Sequence, residues 1–265
     1  MAKFFKIADI VIGKGKPILV AGPCAIESLD MALRVGQVMA ELTDKMGIPF
    51  IFKGSYDKAN RMSGKSGRGL GFPKGLLALR AVKERVGVPV LTDVHETYQV
   101  EAVASVADVL QIPAFLCRQT DLVIAAASSK RAVNIKKGQF LAPQDMKFIA
   151  EKAESTGNKK IILTERGTSF GYHDLVLDPR SIVILKELGY PVLLDITHLC
   201  QRPGASLGSS SGERKFVVPF AKAGLALNVD GIYMEVHPNP KNAISDKDIQ
   251  IPLGEVKEVL KQIFG

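Results

Sequence analysis

Short apolar runs alternate with longer amphipathic stretches along most of this chain. The runs are hydrophobic at nearly every position, which is typical of strands buried on both faces of a parallel sheet. Eight of them are predicted as strands, over residues 18–21, 49–53, 88–93, 109–112, 132–135, 160–165, 192–195 and 231–235. The stretches between and after them predict helices, including those over residues 29–46, 73–86, 144–155, 178–188, 212–227 and 253–264.

Strands that alternate with helices predict an α/β fold in which helices cover a parallel sheet. Eight such units in 265 residues fit a (β/α)8 TIM barrel better than a doubly wound sheet. No Pro/Ser-rich linker divides the chain, so residues 1–265 are predicted as a single domain. Within residues 1–16, alternation followed by Gly13-Lys14-Gly15 predicts a β-hairpin, with its turn at these glycines, that closes the bottom of the barrel.

The composition indicates how large the hydrophobic core can be and in which cellular compartment the protein is expected. Hydrophobic residues make up 46% of the chain, enough for a sizeable core. No apolar run is long enough for a membrane span, and the N-terminus lacks the pattern of a secretion signal. Cys24, Cys117 and Cys200 are too few and too scattered for a disulfide framework. These features predict a cytoplasmic protein without a membrane partner.

The net charge of +8 has several explanations. A basic excess can serve nucleic acid, an anionic surface or small anionic substrates, and a solvated lysine-rich surface accounts for part of it. No Lys/Arg block with interleaved aromatic residues is present and tryptophan is absent, so no nucleic-acid partner is expected. Several of the cations follow predicted strands, which favours small anions.

Polar side chains stand at the carboxyl end of every predicted strand. In a (β/α)8 barrel these ends meet at one face and form the active site. Polar groups buried there cost free energy unless they are paired, so their density indicates a functional site. The residues at these ends include Cys24, Lys53, Lys58, Asn60, Arg61, Asp93, His95, Gln111, Lys136, Arg166, Asp195, His198, Glu235 and, nearby, Asp246.

Two sets among these residues carry candidate chemistry. Cysteine, histidine and carboxylates are ligands of transition metals such as Zn²⁺ or Fe²⁺. Taken singly, however, the cysteine could be a small buried residue, the histidine a core residue and the aspartate a helix cap. The candidate metal ligands are Cys24, His198, Glu235 and Asp246. A second, cationic set favours a site for phosphates and a carboxylate, although single members could pair with neighbouring acids. It comprises Lys53, Lys58, Arg61, Lys136 and Arg166.

Two loops on the predicted active face have unusual composition. Residues 59–66, ANRMSGKS, match a loose phosphate-loop pattern, but the strand ends several residues earlier and Gly67, Gly69, Gly71 and Pro73 oppose a helix. We interpret this segment as a mobile basic loop over the site. Residues 201–214 follow the seventh strand and are predicted to be a flexible lid that excludes water, or an ordinary solvent loop.

Several long motifs resemble those of the 3-deoxy-D-manno-octulosonate 8-phosphate synthase family, and the similarity extends from about residue 18 to the C-terminus. They are AGPCAIES at 21–28, FKGSYDKANR at 52–61, QIPAFLCRQTD at 111–121, NIKKGQF at 134–140, LTERG at 163–167 and MEVHP at 234–238. The resemblance implies condensation of phosphoenolpyruvate with D-arabinose 5-phosphate and water, with release of phosphate, in lipopolysaccharide (Kdo) biosynthesis. It also implies a (β/α)8 barrel that assembles as a homotetramer.

The resemblance further implies roles for individual residues. The family has metal-dependent members with cysteine, and metal-independent members with asparagine, at the position of Cys24. This chain therefore resembles the metal users, with Fe²⁺, Zn²⁺ or Mn²⁺ held by Cys24, His198, Glu235 and Asp246. The implied phosphoenolpyruvate ligands are Lys53, Lys58, Gln111, Lys136 and Arg166. The implied arabinose 5-phosphate ligands are Asn60, Arg61, Ser63 and Asp93, with Arg61 reaching the sugar phosphate of a neighbouring subunit. The residues implied in the chemistry itself are Cys24, Lys58, His198 and Asp246.

The chain departs from the family pattern at one point, and two other functions remain open. Met62 stands where family members usually carry a small hydroxyl residue, so Ser63 or Lys65 is expected to replace that contact. A related barrel enzyme of aromatic amino-acid synthesis joins phosphoenolpyruvate to erythrose 4-phosphate and also has a Gly-Pro-Cys strand end. A non-catalytic sugar-phosphate sensor on the same barrel is the other alternative. His95 and Cys117 are interpreted as structural.

Overall fold

The computed structural model describes residues 3–60, 64, 66–206 and 209–265. Arg61 and Ser63, predicted to bind the sugar phosphate, lie outside the described residues, as do Met62 and Lys65. Among the helices of the described part, none is long and apolar enough to cross a membrane.

Parallel strands in the described part of the chain form one closed barrel, as predicted. They are β1 (Ile18–Gly22), β2 (Phe50–Lys53), β3 (Val90–Asp93), β4 (Val109–Ile112), β5 (Ala132–Lys136), β6 (Ile161–Glu165), β7 (Val192–Asp195) and β8 (Gly231–His237). Each strand pairs with the next, and β8 pairs with both β7 and β1, which closes the sheet. Because all strands run in the same direction, their carboxyl ends surround a single opening.

The helices cover the outside of this barrel. Within the described ranges they are α1 (Leu29–Lys45), α2 (Lys74–Val86), α3 (Val100–Val106), α4 (Thr120–Ser128), α5 (Met146–Glu154), α6 (Pro179–Glu187), α7 (Val217–Ala226) and α8 (Val256–Phe264). The predicted helix over 212–227 was wrong at its start. Gly212 pairs with Gln201 in a β-ladder, and a 3-10 turn over Arg214–Phe216 precedes α7.

A side-chain cap at Ser28 explains why α1 begins only a few residues after β1. Ser28 caps the helix, because its hydroxyl accepts a hydrogen bond from the backbone N–H of Met31 at 3.1 Å. Ala32, Val35 and Met39 follow at helical spacing and are fully buried against the barrel. The short segment between β1 and this cap is therefore fixed at both ends, and it carries Cys24.

Gly22, at the end of β1, allows a close approach between two barrel strands. A Cβ atom at this position would lie 1.9 Å from the backbone oxygen of Lys53 at the end of β2. Any side chain would force the two strand ends apart. The glycine therefore lets the backbone of Cys24 and the side chain of Lys53 converge at the opening of the barrel.

The N-terminal hairpin is present, but its turn was predicted at the wrong place. Phe5–Ile7 pairs with Ile10–Ile12, so the chain turns at Ala8, whose φ is +48°, and not at Gly13-Lys14-Gly15. A two-residue turn is the commonest link between paired strands, and here it outweighs the preference of glycine for turns. Ile7 and Ile12 join the apolar cluster inside the barrel, so the hairpin closes the amino end as predicted.

Two hairpins stand above the carboxyl ends of β6 and β7. The first pairs Thr168–Phe170 with Asp174–Val176, and the second pairs Gln201–Ser206 with Ser209–Gly212. The second replaces the irregular flexible loop that the sequence predicted over 201–214. The segment that resembles a phosphate loop opens no helix at Ser66, since α2 begins only at Lys74. This agrees with the interpretation that it is not a nucleotide site.

Candidate active site

A cavity of about 260 Å³ opens at the carboxyl ends of the barrel strands. Side chains from β2, β3, β4, β5, β8 and the loops after β6 and β7 line it. Most residues predicted from the strand ends meet here, namely Lys53, Lys58, Asn60, Asp93, Gln111, Lys136, Arg166, His198 and Glu235. The structure thus brings the predicted anion-binding residues and two of the predicted metal ligands to one place.

Lys53 and Glu235 form a buried ion pair on one wall of the cavity. The Lys53 Nζ atom lies 2.8 Å from Glu235 Oε1 and donates a 3.0 Å hydrogen bond to the carbonyl oxygen of Cys24. Burial favours the neutral form of both side chains, but Lys53 and its cationic neighbours outweigh it and hold the pKa of Glu235 well below its usual range. Glu235 correspondingly raises the pKa of Lys53 against the effect of burial. Both side chains are therefore charged.

Lys136 forms a second buried pair, with Asp195 at the end of β7. Its Nζ lies 2.5 Å from Asp195 Oδ2 and 3.8 Å from the centre of the Tyr233 ring, a cation–π contact. Burial lowers the pKa of Lys136, and Asp195 only partly offsets this. Lys136 is therefore the cavity lysine whose charge is most easily lost as the pH rises.

Arg166 is presented to the cavity by a network around Glu165. The Glu165 Oε1 atom accepts hydrogen bonds from the backbone N–H groups of Arg166 and Gly167, at 2.9 and 2.7 Å. The other carboxylate oxygen accepts from the hydroxyl of Ser181. These bonds fix the backbone of the loop after β6. Among the described residues, the buried Nη1 of Arg166 has no hydrogen-bond partner, which leaves it available for an anion.

Asp93 and His95 line the cavity at the carboxyl end of β3, next to the strand that carries Lys53. The His95 Nε2 atom lies 2.8 Å from Asp93 Oδ2, and in the described part of the chain the buried Oδ1 of Asp93 has no hydrogen-bond partner. Burial alone would raise the pKa of Asp93. His95, Lys58 and Lys53 lower this pKa by more than burial raises it, so the carboxyl group is ionised. Asp93 can therefore accept a hydrogen bond from a ligand hydroxyl. His95, interpreted as structural from the sequence, lines the cavity.

Cys24, Glu235 and Asp246 come together beside the cavity as a candidate metal centre. One ligand atom from each lies within 4.8 Å of the others. Burial, then Asp246 and Glu235, raise the pKa of the Cys24 thiol, because a third negative charge is unfavourable without a cation. Within the described residues, the buried Glu235 Oε2 atom has no hydrogen-bond partner. This donor set and the unpartnered oxygen fit a divalent transition metal.

His198, the fourth predicted ligand, stands next to this group. Its Nε2 atom lies 3.8 Å from Glu235 Oε1, and its Nδ1 lies 2.7 Å from Asp195 Oδ2. The carboxylate of Asp195 accepts a 3.0 Å hydrogen bond from the backbone N–H of His198. Asp195 therefore orients the ring so that Nε2 faces the cluster, an arrangement typical of metal-binding histidines.

Three residues near the cluster were not assigned a role from the sequence. Gln250 Oε1 accepts a 3.0 Å hydrogen bond from the backbone N–H of Cys24, and Ser245 donates its hydroxyl to the Cys24 sulfur at 2.9 Å. Gln201 Nε2 donates to Asp246 Oδ1 at 2.5 Å. Gln201 could have been found, because it opens the loop after β7. Nothing in the sequence pattern indicates Gln250.

Comparisons with known proteins identify the family to which this chain belongs. The DAHP synthetase I family matches residues 3–264. A 2-dehydro-3-deoxyphosphooctonate aldolase of Cyanothece sp. is 50% identical over 266 residues, which cover 100% of this chain and 97% of that protein. Proteins of the same name from Dichelobacter nodosus and Geotalea uraniireducens are 51% and 52% identical, covering 97% and 99% of this chain and 94% and 97% of their own lengths. The chain therefore belongs to the DAHP synthetase I family and, within it, to the 2-dehydro-3-deoxyphosphooctonate aldolases.

Proposed function

We propose that this chain condenses phosphoenolpyruvate with D-arabinose 5-phosphate and water, giving 3-deoxy-D-manno-octulosonate 8-phosphate and phosphate for lipopolysaccharide (Kdo) synthesis. The observation that carries the proposal is the convergence of buried cations on one cavity beside a candidate metal centre. Lys53, Lys136 and Arg166 all line that cavity and are at most 6% exposed. Such a site suits two phosphorylated substrates.

The name of the relatives supports the five-carbon sugar as the second substrate. An octonate has eight carbons, and phosphoenolpyruvate contributes three, so the partner must supply five. Erythrose 4-phosphate, the substrate in the aromatic amino-acid alternative, would give a product of seven carbons. A non-catalytic sensor would not need the metal-ligand cluster of Cys24, Glu235 and Asp246, whose ligand atoms lie within 4.8 Å of one another.

Phosphoenolpyruvate is assigned to the cationic residues of the cavity and a neighbouring amide. The proposed ligands Lys53, Lys58, Gln111, Lys136 and Arg166 all line the cavity. Two phosphorylated substrates repel one another, and fixed positive charges both offset this repulsion and hold the reacting carbons together. Arg166, whose Nη1 has no partner in the described part of the chain, suits a phosphate oxygen, because guanidinium donors match that geometry.

The sugar phosphate is assigned to the part of the cavity formed by the loop after β2 and the end of β3. Asn60 and Asp93 line the cavity there, and Asp93 Oδ1, which has no partner among the described residues, can accept a hydrogen bond from a sugar hydroxyl. Arg61 and Ser63 are proposed to bind the sugar's phosphate group, with Arg61 acting on a neighbouring subunit. We accordingly propose a homotetramer. Exposed aromatic residues on the loops after β4, β5 and β6 support an assembly of like subunits, namely Phe115, Phe140 and Phe170.

The chemistry follows from these positions. The methylene carbon of phosphoenolpyruvate attacks the sugar aldehyde, and a carbon–carbon bond forms as the carbonyl oxygen gains a proton. Water adds to the resulting cationic carbon and loses a proton. In the tetrahedral intermediate the new hydroxyl group then becomes the keto group of the product, as its proton is lost and the carbon–oxygen bond to phosphate breaks. Burial would lower the pKa of Lys58, but Cys24, Glu235 and Asp93 outweigh it and raise the pKa, so Lys58 stays a hydrogen-bond donor in the cavity.

Cys24, His198, Glu235 and Asp246 are proposed to hold a divalent transition metal, Fe²⁺, Zn²⁺ or Mn²⁺. When bound, the metal would supply Lewis acidity to the aldehyde or to the water. Asp195 orients His198, and Ser245 and Gln250 hold Cys24. Because Cys24, Cys117 and Cys200 are all free thiols, we propose that the reaction takes place in the reducing cytoplasm.

Phosphate release tests the proposed function directly. We expect release from phosphoenolpyruvate with arabinose 5-phosphate, at least about tenfold faster than with erythrose 4-phosphate, since only the longer sugar gives an eight-carbon product. Release should fall after chelation and return with Fe²⁺, Mn²⁺ or Zn²⁺. A preference for erythrose 4-phosphate would favour the aromatic-pathway alternative. Binding of both ligands without release from the metal-loaded protein would favour the sensor.

The low pKa of Lys136 predicts how phosphoenolpyruvate binding depends on pH. Only the protonated amine attracts the anion, and burial makes Lys136 lose its proton at a lower pH than an exposed lysine does. Affinity should therefore fall as the pH rises through this pKa, whereas Lys53 and Lys58, whose pKa values are raised, stay charged. Titration of phosphoenolpyruvate at a series of pH values measures the fall. Lys136→Arg should flatten it, and an identical profile in that variant would contradict the assignment.

A further inference from the structure

We infer that Gln201 is a positioning residue that couples the anion-binding side of the cavity to the metal-ligand cluster. The inference rests on the function proposed above and extends it to the cooperation between the two sites. Gln201 lies at the start of the hairpin after β7 and is half-buried. Its side chain does not line the cavity, yet its amide contacts Arg166 of the anion-binding site and Asp246 of the metal-ligand cluster.

Two hydrogen bonds form the bridge. Arg166 donates from Nη2 to Gln201 Oε1 at 2.8 Å, and Gln201 donates from Nε2 to Asp246 Oδ1 at 2.5 Å. The other oxygen of Asp246 accepts a 2.9 Å hydrogen bond from the Cys24 sulfur. A continuous path of hydrogen bonds thus leads from Arg166 to Cys24.

The chemistry of the two ends explains why an amide stands between them. A guanidinium group only donates hydrogen bonds, and an ionised carboxylate only accepts them. An amide offers one acceptor and one donor group, so it satisfies both ends in a single orientation. A fixed position of the Arg166 side chain therefore fixes the orientation of the Gln201 amide. The amide in turn orients the Asp246 carboxylate, with Oδ1 towards Gln201 and Oδ2 towards the Cys24 sulfur.

Such a bridge makes the two binding events cooperative. An anion bound to Nη1 of Arg166 would order the guanidinium group and, through Gln201, the Asp246 carboxylate. Metal binding would then cost less conformational entropy, because its ligand Asp246 is already ordered. By linkage, a metal on Asp246 favours the anion to the same extent. Direct attraction between metal and anion also couples the sites, but it does not depend on Gln201. The contribution of the bridge is the part of the coupling that is lost when the amide is removed.

Metal titrations with and without an anion measure this contribution. Co²⁺ binding to the complete metal-free protein can be followed by its thiolate charge-transfer absorption, in buffer alone and with saturating inorganic phosphate. The ratio of the two dissociation constants is the coupling factor. We expect Gln201→Leu to reduce this factor about fivefold or more. The apparent KM for phosphoenolpyruvate should rise in the variant at limiting metal and recover towards the unaltered value at saturating metal.

Two further variants separate the bridge from a general disturbance of the site. Gln250→Leu removes the hydrogen bond to the backbone of Cys24 but leaves the path from Arg166 intact. It should weaken Co²⁺ binding and keep the coupling factor. Gln262→Ala, exposed on α8, should change neither. If Gln201→Leu is poorly folded, Gln201→Ala serves in its place.

An equal coupling factor in the unaltered protein and the Gln201 variants would overturn the bridge. So would the absence of any effect of phosphate on Co²⁺ affinity in the unaltered protein. Neither result would bear on the condensation itself, because phosphate release from the two substrates is measured separately on the unaltered, metal-loaded protein.

Discussion

Cys24→Ala should abolish tight metal binding and lower kcat by about 100-fold or more, because Lewis acidity of this kind contributes several kcal/mol. The sulfur lies where a metal would meet Glu235 and Asp246, and alanine offers no donor atom. Two carboxylates and His198 would remain, without the thiolate that binds transition metals most strongly. Metal content and phosphate release, measured on the same preparation, check both effects.

Cys24→Asn makes the test sharper. Asparagine occupies a similar volume, and its amide can donate to Asp246 Oδ2 as the thiol does at 2.9 Å. The family resemblance described above implies that members which use no metal carry asparagine at the position of Cys24. We therefore expect this variant to lose the metal yet to keep more activity than Cys24→Ala. Cys117→Ala, at a buried thiol of the apolar core, is the matched control and should keep both. Full activity of unaltered protein stripped of metal would contradict the role of Cys24.

The barrel could be predicted because its strands are buried on both faces. Each strand leaves a continuous apolar run in the sequence, and the runs over 109–112 and 192–195 match β4 and β7 at both ends. The errors at the N-terminal hairpin and at the hairpin after β7 have a common cause. At Ala8 and at Gly212, pairing within a hairpin decided the local structure, and the positions of the glycines do not specify the register of that pairing. Glycines were given too much weight as turn markers in the first case and too little as strand residues in the second.

The cavity residues could be predicted for a different reason. The barrel brings all strand carboxyl ends to one face, so position along a strand is enough to place Lys53, Lys136 or Glu235. What the sequence cannot give is the pairing among them. Asp195 was recognised as a strand end, but its contact with Lys136 joins residues 59 positions apart. Gln250 and Cys24 are separated by 226 positions, and only the folded chain shows that they meet.

These buried ion pairs also affect the stability of the fold, because each charged side chain is stabilised by its partner. Lys53, Lys136, Asp195 and Glu235 are each at most 5% exposed. Removing one partner of a buried ion pair leaves an uncompensated charge and costs about 3–5 kcal/mol. The Lys53–Glu235 and Lys136–Asp195 pairs keep the cations charged in the absence of substrate. The fold therefore depends on the same carboxylates that prepare the cavity for anions, and a variant at one of them should affect folding and binding together.

Asp195→Asn should show both effects. It removes the negative charge 2.5 Å from Lys136 Nζ and 2.7 Å from His198 Nδ1, and one orientation of its amide directs an NH₂ group at the lysine. The free energy of unfolding should fall by about 3 kcal/mol or more. Without Asp195, burial lowers the pKa of Lys136 further, so more of the lysine is neutral at a given pH. The KM for phosphoenolpyruvate should rise about tenfold or more, and lowering the pH should partly restore it.

Denaturant unfolding and phosphoenolpyruvate titration on the same variant separate these outcomes. Asp178→Asn is the matched control, because that aspartate pairs with Arg180 at the surface and asparagine can still cap α6. It should leave both measurements unchanged. If Asp195→Asn lowered stability but left the KM and its pH dependence unaltered, Asp195 would stabilise the fold without keeping Lys136 charged. If it changed neither, Lys136 would not depend on this carboxylate, and the pairing could not be what keeps the anion site charged.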